Sequence, residues 1–104
     1  MVLSENMVEN LYAIEEVEPQ QASIIMNLPL NELGNSLIDV YYGTSNLEAR
    51  KLITDFMNEA GIEWMRKLLT RDTSPVETSK AEAVSVYDFT LLVAANDGQF
   101  YAAG

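Results

Sequence analysis

The stretch SNLEARKLITDFMNEAG, residues 45–61, contains the clearest helical pattern in the chain. Its apolar residues recur at three- and four-residue spacing and so share one helix face: Ala49, Leu52, Ile53, Phe56, Met57 and Ala60. Ser45 and Glu48 match the Ser-x-x-Glu capping box that begins a helix, and Gly61 follows the last apolar position. The pattern predicts an amphipathic helix over residues 46–60.

A second helix is predicted directly before this one, over residues 30–42. Its apolar positions also repeat at helical spacing: Leu30, Leu33, Leu37, Ile38 and Tyr41. Gly43 stands where a residue with left-handed backbone angles ends many helices. Because so few residues separate the two helices, we expect them to pack as a central antiparallel helical hairpin.

The N-terminal segment predicts a helix over residues 5–17, with Ser4 as its N-cap and Pro19 just beyond its end. Its apolar stripe consists of Met7, Val8, Leu11, Tyr12 and Ile14. A strand over residues 11–17 is the competing interpretation, because part of this segment also alternates between apolar and polar residues.

Three further segments link these helices or follow them. Residues 20–29 are interpreted as a connector or short extended segment, because Pro29 disfavours helical angles in the residue before it. Residues 71–82 are polar, contain a proline and lack periodicity, which indicates an exposed internal loop. The segment over residues 62–70 predicts a short helix that buries Ile62, Met65, Leu68 and Leu69.

The last part of the chain has a different character. Tyr87, Phe89, Leu91 and Val93 alternate with their neighbours, a period typical of a strand, and Asp97-Gly98 is a hairpin turn signal. We therefore expect a β-hairpin within residues 84–103, although a buried helix over residues 86–96 is an alternative. The predicted fold is a single α+β domain over residues 1–104, mainly helical, with an all-α domain as the alternative.

The composition limits the classes of function that the protein can have. A hydrophobic content of 48% with 21% charged residues is typical of a globular protein. The absence of Cys and His removes thiolate nucleophiles, imidazole bases and the two commonest zinc ligands. Because no Gly-rich phosphate loop or nucleophile elbow is present either, we expect no catalysis, no cofactor and no metal. No apolar run approaches the ~20 residues that span a bilayer, and residues 1–10 lack the basic region of a signal peptide, so we expect a cytoplasmic protein.

The net charge of −10 is distributed unevenly. Residues 1–49 contain no Lys or Arg, whereas all six basic residues fall within residues 50–80. This asymmetry predicts an anionic surface that attracts a basic protein partner and repels phosphate backbones. The residues assigned to it are Glu9, Glu15, Glu16, Glu18 and Glu32, with Tyr12 as an aromatic anchor. The resulting hypothesis is an acidic protein-interaction module with an inhibitor, antitoxin-like or adaptor role.

Other interpretations remain open. The acidic surface would also serve solubility alone. A small apolar or cationic ligand would fit a pocket lined by Tyr41, Phe56, Met57, Trp64 and Met65. A helix-turn-helix over residues 46–71 would present Arg66, Lys67 and Arg71 to DNA, although one glycine is a short break and the net charge opposes binding. The nearly uncharged C-terminal segment and the helix pair predict self-association, most simply as a homodimer.

Overall fold

The computed structural model describes residues 3–75 and residue 85, and this part of the chain is helical. Its helices are α1 (Glu5–Val17), α2 (Pro19–Ile25), α3 (Leu30–Gly43), α4 (Leu47–Ala60) and α5 (Ile62–Thr70). The mainly helical class is confirmed, and the all-α alternative fits the described residues, which contain no strand. The hairpin predicted for residues 84–103 lies outside them, apart from Ser85, which forms an isolated antiparallel bridge with Pro29.

Helix α4 lies at the centre of the described fold and packs against α1, α3 and α5. Four of the six residues of its predicted apolar stripe are inaccessible to solvent, and the other two, Leu52 and Ala60, are half-buried. The four are Ala49, Ile53, Phe56 and Met57. Burying a side chain the size of Phe56 contributes roughly 1.5–3 kcal/mol relative to leaving it exposed. A single hydrophobic cluster joins this stripe to the buried faces of α1, α2 and α3.

The N-cap of α4 is Asn46 and not the predicted Ser45. The Asn46 Oδ1 accepts hydrogen bonds from the backbone N–H groups of Glu48 at 2.9 Å and Ala49 at 3.2 Å. Its Nδ2 also donates to the carbonyl oxygen of Val17, at 3.3 Å, at the end of α1. The asparagine amide can both cap α4 and bind α1, which a serine hydroxyl one residue earlier does not do.

The prediction that Gly43 adopts left-handed angles is wrong. Helix α3 continues through Gly43, and Thr44 follows in an extended conformation, with its N–H bonded to the carbonyl of Val40 at 2.8 Å. Positive φ occurs instead at Gly61, where φ is 125° and ψ is 169°. That backbone region is essentially restricted to glycine, which explains how one residue can join α4 to α5.

The connector predicted over residues 20–29 is wrong in its first half, because Pro19–Ile25 forms α2. Pro19 occupies the first helical position, where its missing N–H has no intrahelical partner to lose. The helix buries Ala22 and Ile25, and Met26 just after it is buried as well. Pro19 therefore both follows α1 and begins α2.

Helix α5 has the predicted bounds but buries a different face. Leu68 is buried as predicted, and Lys67 is buried beside it with only 6% of its surface exposed. The prediction that Ile62 and Leu69 are buried is wrong, since they are 86% and 71% exposed. Part of the reason is that the Tyr42 hydroxyl on α3 donates to the carbonyl of Leu68 at 2.6 Å, which holds that side of α5 inward.

Two of the residues described after α5 lie next to α3 or to the residue before it. Residues 71–75 contain no helix. The Asn35 Nδ2 in the middle of α3 donates to the carbonyl oxygen of Ser74 at 3.1 Å, and Ser85 pairs with Pro29, just before α3 begins. The two contacts lie at the middle of α3 and just before its N-terminal end.

Candidate functional site

Helix α1 presents a row of acidic side chains to solvent. Glu5, Glu9, Tyr12 and Glu16 are separated by four, three and four positions, a spacing that places all of them on one helix face. All four are exposed, Tyr12 to 37%. We call these four residues the α1 acidic face. The tyrosine ring lies between carboxylates along the helix, so the face offers an aromatic contact within a negative field.

The α1 acidic face belongs to a helix that forms hydrogen bonds to α4 or its N-cap at both of its ends. At its N-terminus the Ser4 hydroxyl accepts a hydrogen bond from the Met7 N–H at 3.2 Å and donates to the Glu59 carboxylate of α4 at 3.3 Å. At its C-terminus the Val17 carbonyl accepts from Asn46. The opposite face of α1 is buried through Met7, Val8, Leu11 and Ile14. The acidic side chains therefore project from a helix whose position is fixed by hydrogen bonds and by packing.

The placement of Glu16 opposes the helix dipole of α1. Acidic residues stabilise the first turn of a helix and destabilise its last turn, by roughly 0.3–1 kcal/mol each. Glu5 lies in the first turn, but Glu16 lies in the last, where no basic residue offsets it. Glu5 and Glu9 also repel each other one turn apart. The helix thus retains unfavourable local charges, a pattern found where a surface serves recognition.

The structure separates the other predicted acidic residues from this face. Glu18 is half-buried, and its carboxylate accepts a hydrogen bond from the buried hydroxyl of Thr44. Glu15 is half-buried as well. Glu32 is exposed in the first turn of α3, whereas α1 packs mainly against α2 and α4. Glu5 was missed in the sequence, although its four-residue spacing from Glu9 was visible there.

Basic residues contact aromatic rings on α3. The Arg50 guanidinium carbon lies 5.2 Å from the centre of the Tyr41 ring, and that of Arg71 lies 4.9 Å from the centre of the Tyr42 ring. The two rings meet edge to face with their centres 5.0 Å apart. Through these contacts Arg50 joins α4 to α3, and Arg71 joins the end of α5 to α3. Neither arginine belongs to α1, the helix that carries the acidic face.

The buried Lys67 joins α5 to the segment after it. Its ammonium donates to the Ser74 carbonyl at 3.0 Å, lies 3.9 Å from the Asp72 carboxylate and sits 5.5 Å from the centre of the Trp64 ring. Hydrogen bonds from the Ser74 hydroxyl and from its N–H lower the pKa of Asp72, and the charges of Lys67 and Arg66 act in the same direction. Lys67 thus interacts with Asp72 of the segment that follows α5.

The structure gives the positions of the residues on which the helix-turn-helix interpretation of residues 46–71 depends. Gly61 alone separates α4 from α5. Lys67 is buried, so its ammonium is not available to a duplex, and the Arg71 guanidinium lies against a tyrosine ring. Of the basic residues assigned to DNA, Arg66 and Arg71 are both exposed, and the Arg71 guanidinium also contacts the Tyr42 ring.

The residues assigned to an apolar ligand pocket form part of the packed interior. Phe56 and Met57 have no exposed surface, and they belong to the central cluster. Tyr41, Trp64 and Met65 are half-buried and pack against that cluster. Each of these side chains therefore has a structural role in closing the core around α4.

Within residues 3–75 and residue 85, no three acidic residues lie close enough together to hold a metal ion. No helix in the same part of the chain has the length and apolarity to cross a membrane. Comparisons with protein-family models, with curated proteins and with solved structures give no match. A proposal for the function therefore rests on the geometry and charge of the chain's own residues.

Proposed function

We propose that the protein is a small interaction module that binds a basic protein segment through the α1 acidic face. The observation that carries the proposal is the exposed row of Glu5, Glu9, Tyr12 and Glu16 on a helix fixed at both ends. Complementary charge steers two proteins together and raises their association rate. Tyr12 adds the aromatic contact area that is enriched at the centres of binding sites.

Solubility alone explains this face less well. Negative charge at any exposed position keeps a protein soluble, and exposed acidic residues are present on α3 and α4 as well, for example Asp39 and Glu48. Glu16 lies at the end of α1 where the helix dipole disfavours it. Recognition accounts for a charge retained at an unfavourable position, whereas solubility does not require that position.

The spacing of the α1 acidic face supports a proposal for how the cations of the partner are arranged. Glu9 and Glu16 are seven residues apart on one helix face, which corresponds to about 10 Å along the axis. A partner helix with Lys or Arg at i and i+7 on one face matches this separation. An apolar or aromatic side chain between the two cations would contact Tyr12. We propose that this interaction takes place in the cytoplasm, in an inhibitor, antitoxin-like or adaptor role.

The proposal is tested by affinity capture from a lysate of the source organism on three immobilised proteins. These are the wild type, the α1 variant Glu9→Lys/Glu16→Lys, and a control variant, Asp39→Lys/Glu48→Lys. The control variant has the same net charge as the α1 variant. All four positions are exposed, so each protein should remain folded, as circular dichroism would verify. We expect the wild type and the control to retain a basic protein that a salt gradient releases, and the α1 variant not to retain it.

Two outcomes would contradict the proposal. If both variants lost the captured protein equally, retention would depend on the net charge of the protein and not on the α1 acidic face. If both variants retained it as well as the wild type, the binding site would lie elsewhere on the molecule.

A further inference from the structure

Helix α5 carries an apolar surface that the core of the described residues does not cover. Ile62 and Leu69 are seven positions apart and so lie on the same helix face, and both are largely exposed, to 86% and 71%. Met65 lies between them and is half-buried, which connects this surface to the core. We call Ile62, Met65 and Leu69 the α5 apolar stripe.

The orientation of α5 keeps this stripe outward. Leu68 and Lys67 face the core, and each is fixed by a hydrogen bond, to the Tyr42 hydroxyl at 2.6 Å and to the Ser74 carbonyl at 3.0 Å. Rotating α5 to bury Ile62 would break these contacts and expose Leu68. Two large aliphatic side chains on one helix face remain in water as a consequence, which leaves an apolar surface available for a contact.

We propose that the α5 apolar stripe is the contact surface of a homodimer in which the α5 helices of two copies pack antiparallel about a two-fold axis. The stripe is self-complementary in that arrangement, because Ile62 of one copy meets Leu69 of the second copy while the two Met65 side chains meet at the axis. A second copy therefore supplies a matching apolar surface without any further partner.

The charges beside the stripe fit a second copy as well. Glu63 and Arg66 are both exposed and lie on the same side of the stripe. In an antiparallel pair of helices the same flanks of the two helices face each other. Glu63 of each copy consequently comes within reach of Arg66 of the other, which gives two opposite-charge contacts related by the two-fold axis.

The dimer should be weak and should respond to salt in a characteristic way. The nine residues of α5 span about 13 Å, so the contact is at the low end of specific interfaces. Each copy carries a net charge of −10, so the two copies repel each other over a distance that added salt shortens. Salt also weakens the two Glu63–Arg66 contacts, but exposed ion pairs contribute little, so the reduced repulsion dominates and salt strengthens the dimer. The same salt weakens binding of a basic partner to α1.

The test is the molar mass in sedimentation equilibrium over a wide range of protein concentrations at low and high salt. The α5 variant is Ile62→Glu/Leu69→Glu, and the matched control is Ile24→Glu/Leu47→Glu, which changes an equally exposed isoleucine and leucine on α2 and α4. We expect the wild type and the control to approach twice the monomer mass, more readily at high salt. The α5 variant should dissociate at least tenfold more readily.

A cross-link tests the antiparallel orientation. The chain contains no cysteine, so Arg66→Cys introduces a single thiol near the proposed axis and Ile24→Cys introduces one on α2. Mild oxidation should join Arg66→Cys chains into a covalent dimer much faster than Ile24→Cys chains. Equal rates would overturn the proposed geometry.

A monomeric wild type at every concentration would overturn the proposal, and so would equal weakening of the dimer in both double variants. If the stripe were instead covered within one chain, for example by residues 86–104, the wild type would be monomeric. The α5 variant would then melt at a lower temperature than its control. None of these results depends on whether α1 binds a basic partner, so the two proposals can fail separately.

Discussion

At the scale of single residues, Asn46 and Thr44 show how three helices are joined. The Asn46 side chain caps α4 through two backbone N–H groups and reaches the end of α1 through its amide nitrogen. The buried Thr44 hydroxyl accepts from the Asn46 N–H at 3.0 Å and donates to Glu18. The turn between α3 and α4 is therefore built from side-chain hydrogen bonds that also position α1.

Asn46→Ala should lower the free energy of unfolding by about 1–2 kcal/mol, because it removes the N-cap of α4 and the bond to α1. Ser45→Ala, one residue earlier at an exposed position, should change it by less than about 0.5 kcal/mol. Urea denaturation of both variants provides the measurement. A larger loss for Ser45→Ala would mean that the capping box predicted from the sequence is the actual helix start.

Asp72 should make stability depend on acidic pH. Hydrogen bonds from Ser74 lower its pKa in the folded state, so the carboxylate contributes stability above its unfolded pKa of about 3.9. That contribution is lost as the pH falls through the lower, folded value. The stability difference between the wild type and Asp72→Asn should therefore be larger near neutral pH than near about pH 2. A difference that does not change with pH would contradict this role of Asp72.

At the scale of elements, the sequence predicted α1, α3, α4 and α5, because each contains an apolar period long enough to identify. It did not predict α2, since that helix has only seven residues and begins at a proline that also ends the pattern of α1. The buried face of α5 and the use of Glu18 within the fold depend on Tyr42 and Thr44, each 26 positions away. Such contacts leave no local period in the sequence.

Adjacent isoleucines on α2 provide a test of this unpredicted helix. Ile25 is 4% exposed and Ile24 is 67% exposed. Ile25→Ala should lower the free energy of unfolding by about 2–4 kcal/mol through lost burial and a residual cavity, and Ile24→Ala by less than about 0.5 kcal/mol. Thermal or urea denaturation would measure both. Similar losses for the two variants would mean that residues 19–25 do not form a helix with this buried face.

The two glycines that follow predicted helices should respond oppositely to alanine. Gly61→Ala should destabilise the fold by about 1–3 kcal/mol, because φ is 125° there. Gly43 is helical, and a Cβ at that position would contact nothing within 4 Å. Gly43→Ala should therefore stabilise the fold by about 0.5–1 kcal/mol. A loss of stability for Gly43→Ala would contradict the observed continuation of α3.

At the scale of the whole molecule, the charges are segregated along the chain. The first 49 residues contain no Lys or Arg, and α1 exposes Glu5, Glu9 and Glu16 on one face. Arg50 and Arg71 contact the tyrosines of α3. The asymmetry was evident in the sequence. Which of the acidic residues form one continuous face depended on how α1 is rotated against α4.

The most direct test of the α1 acidic face is a chemical-shift map of the backbone amides, recorded by nuclear magnetic resonance, as the captured basic partner is added. We predict that the largest shifts fall within residues 5–16 and that they decrease as salt is added, since the attraction is electrostatic. Shifts concentrated in residues 41–50 or 62–71, with residues 5–16 unchanged, would contradict the account.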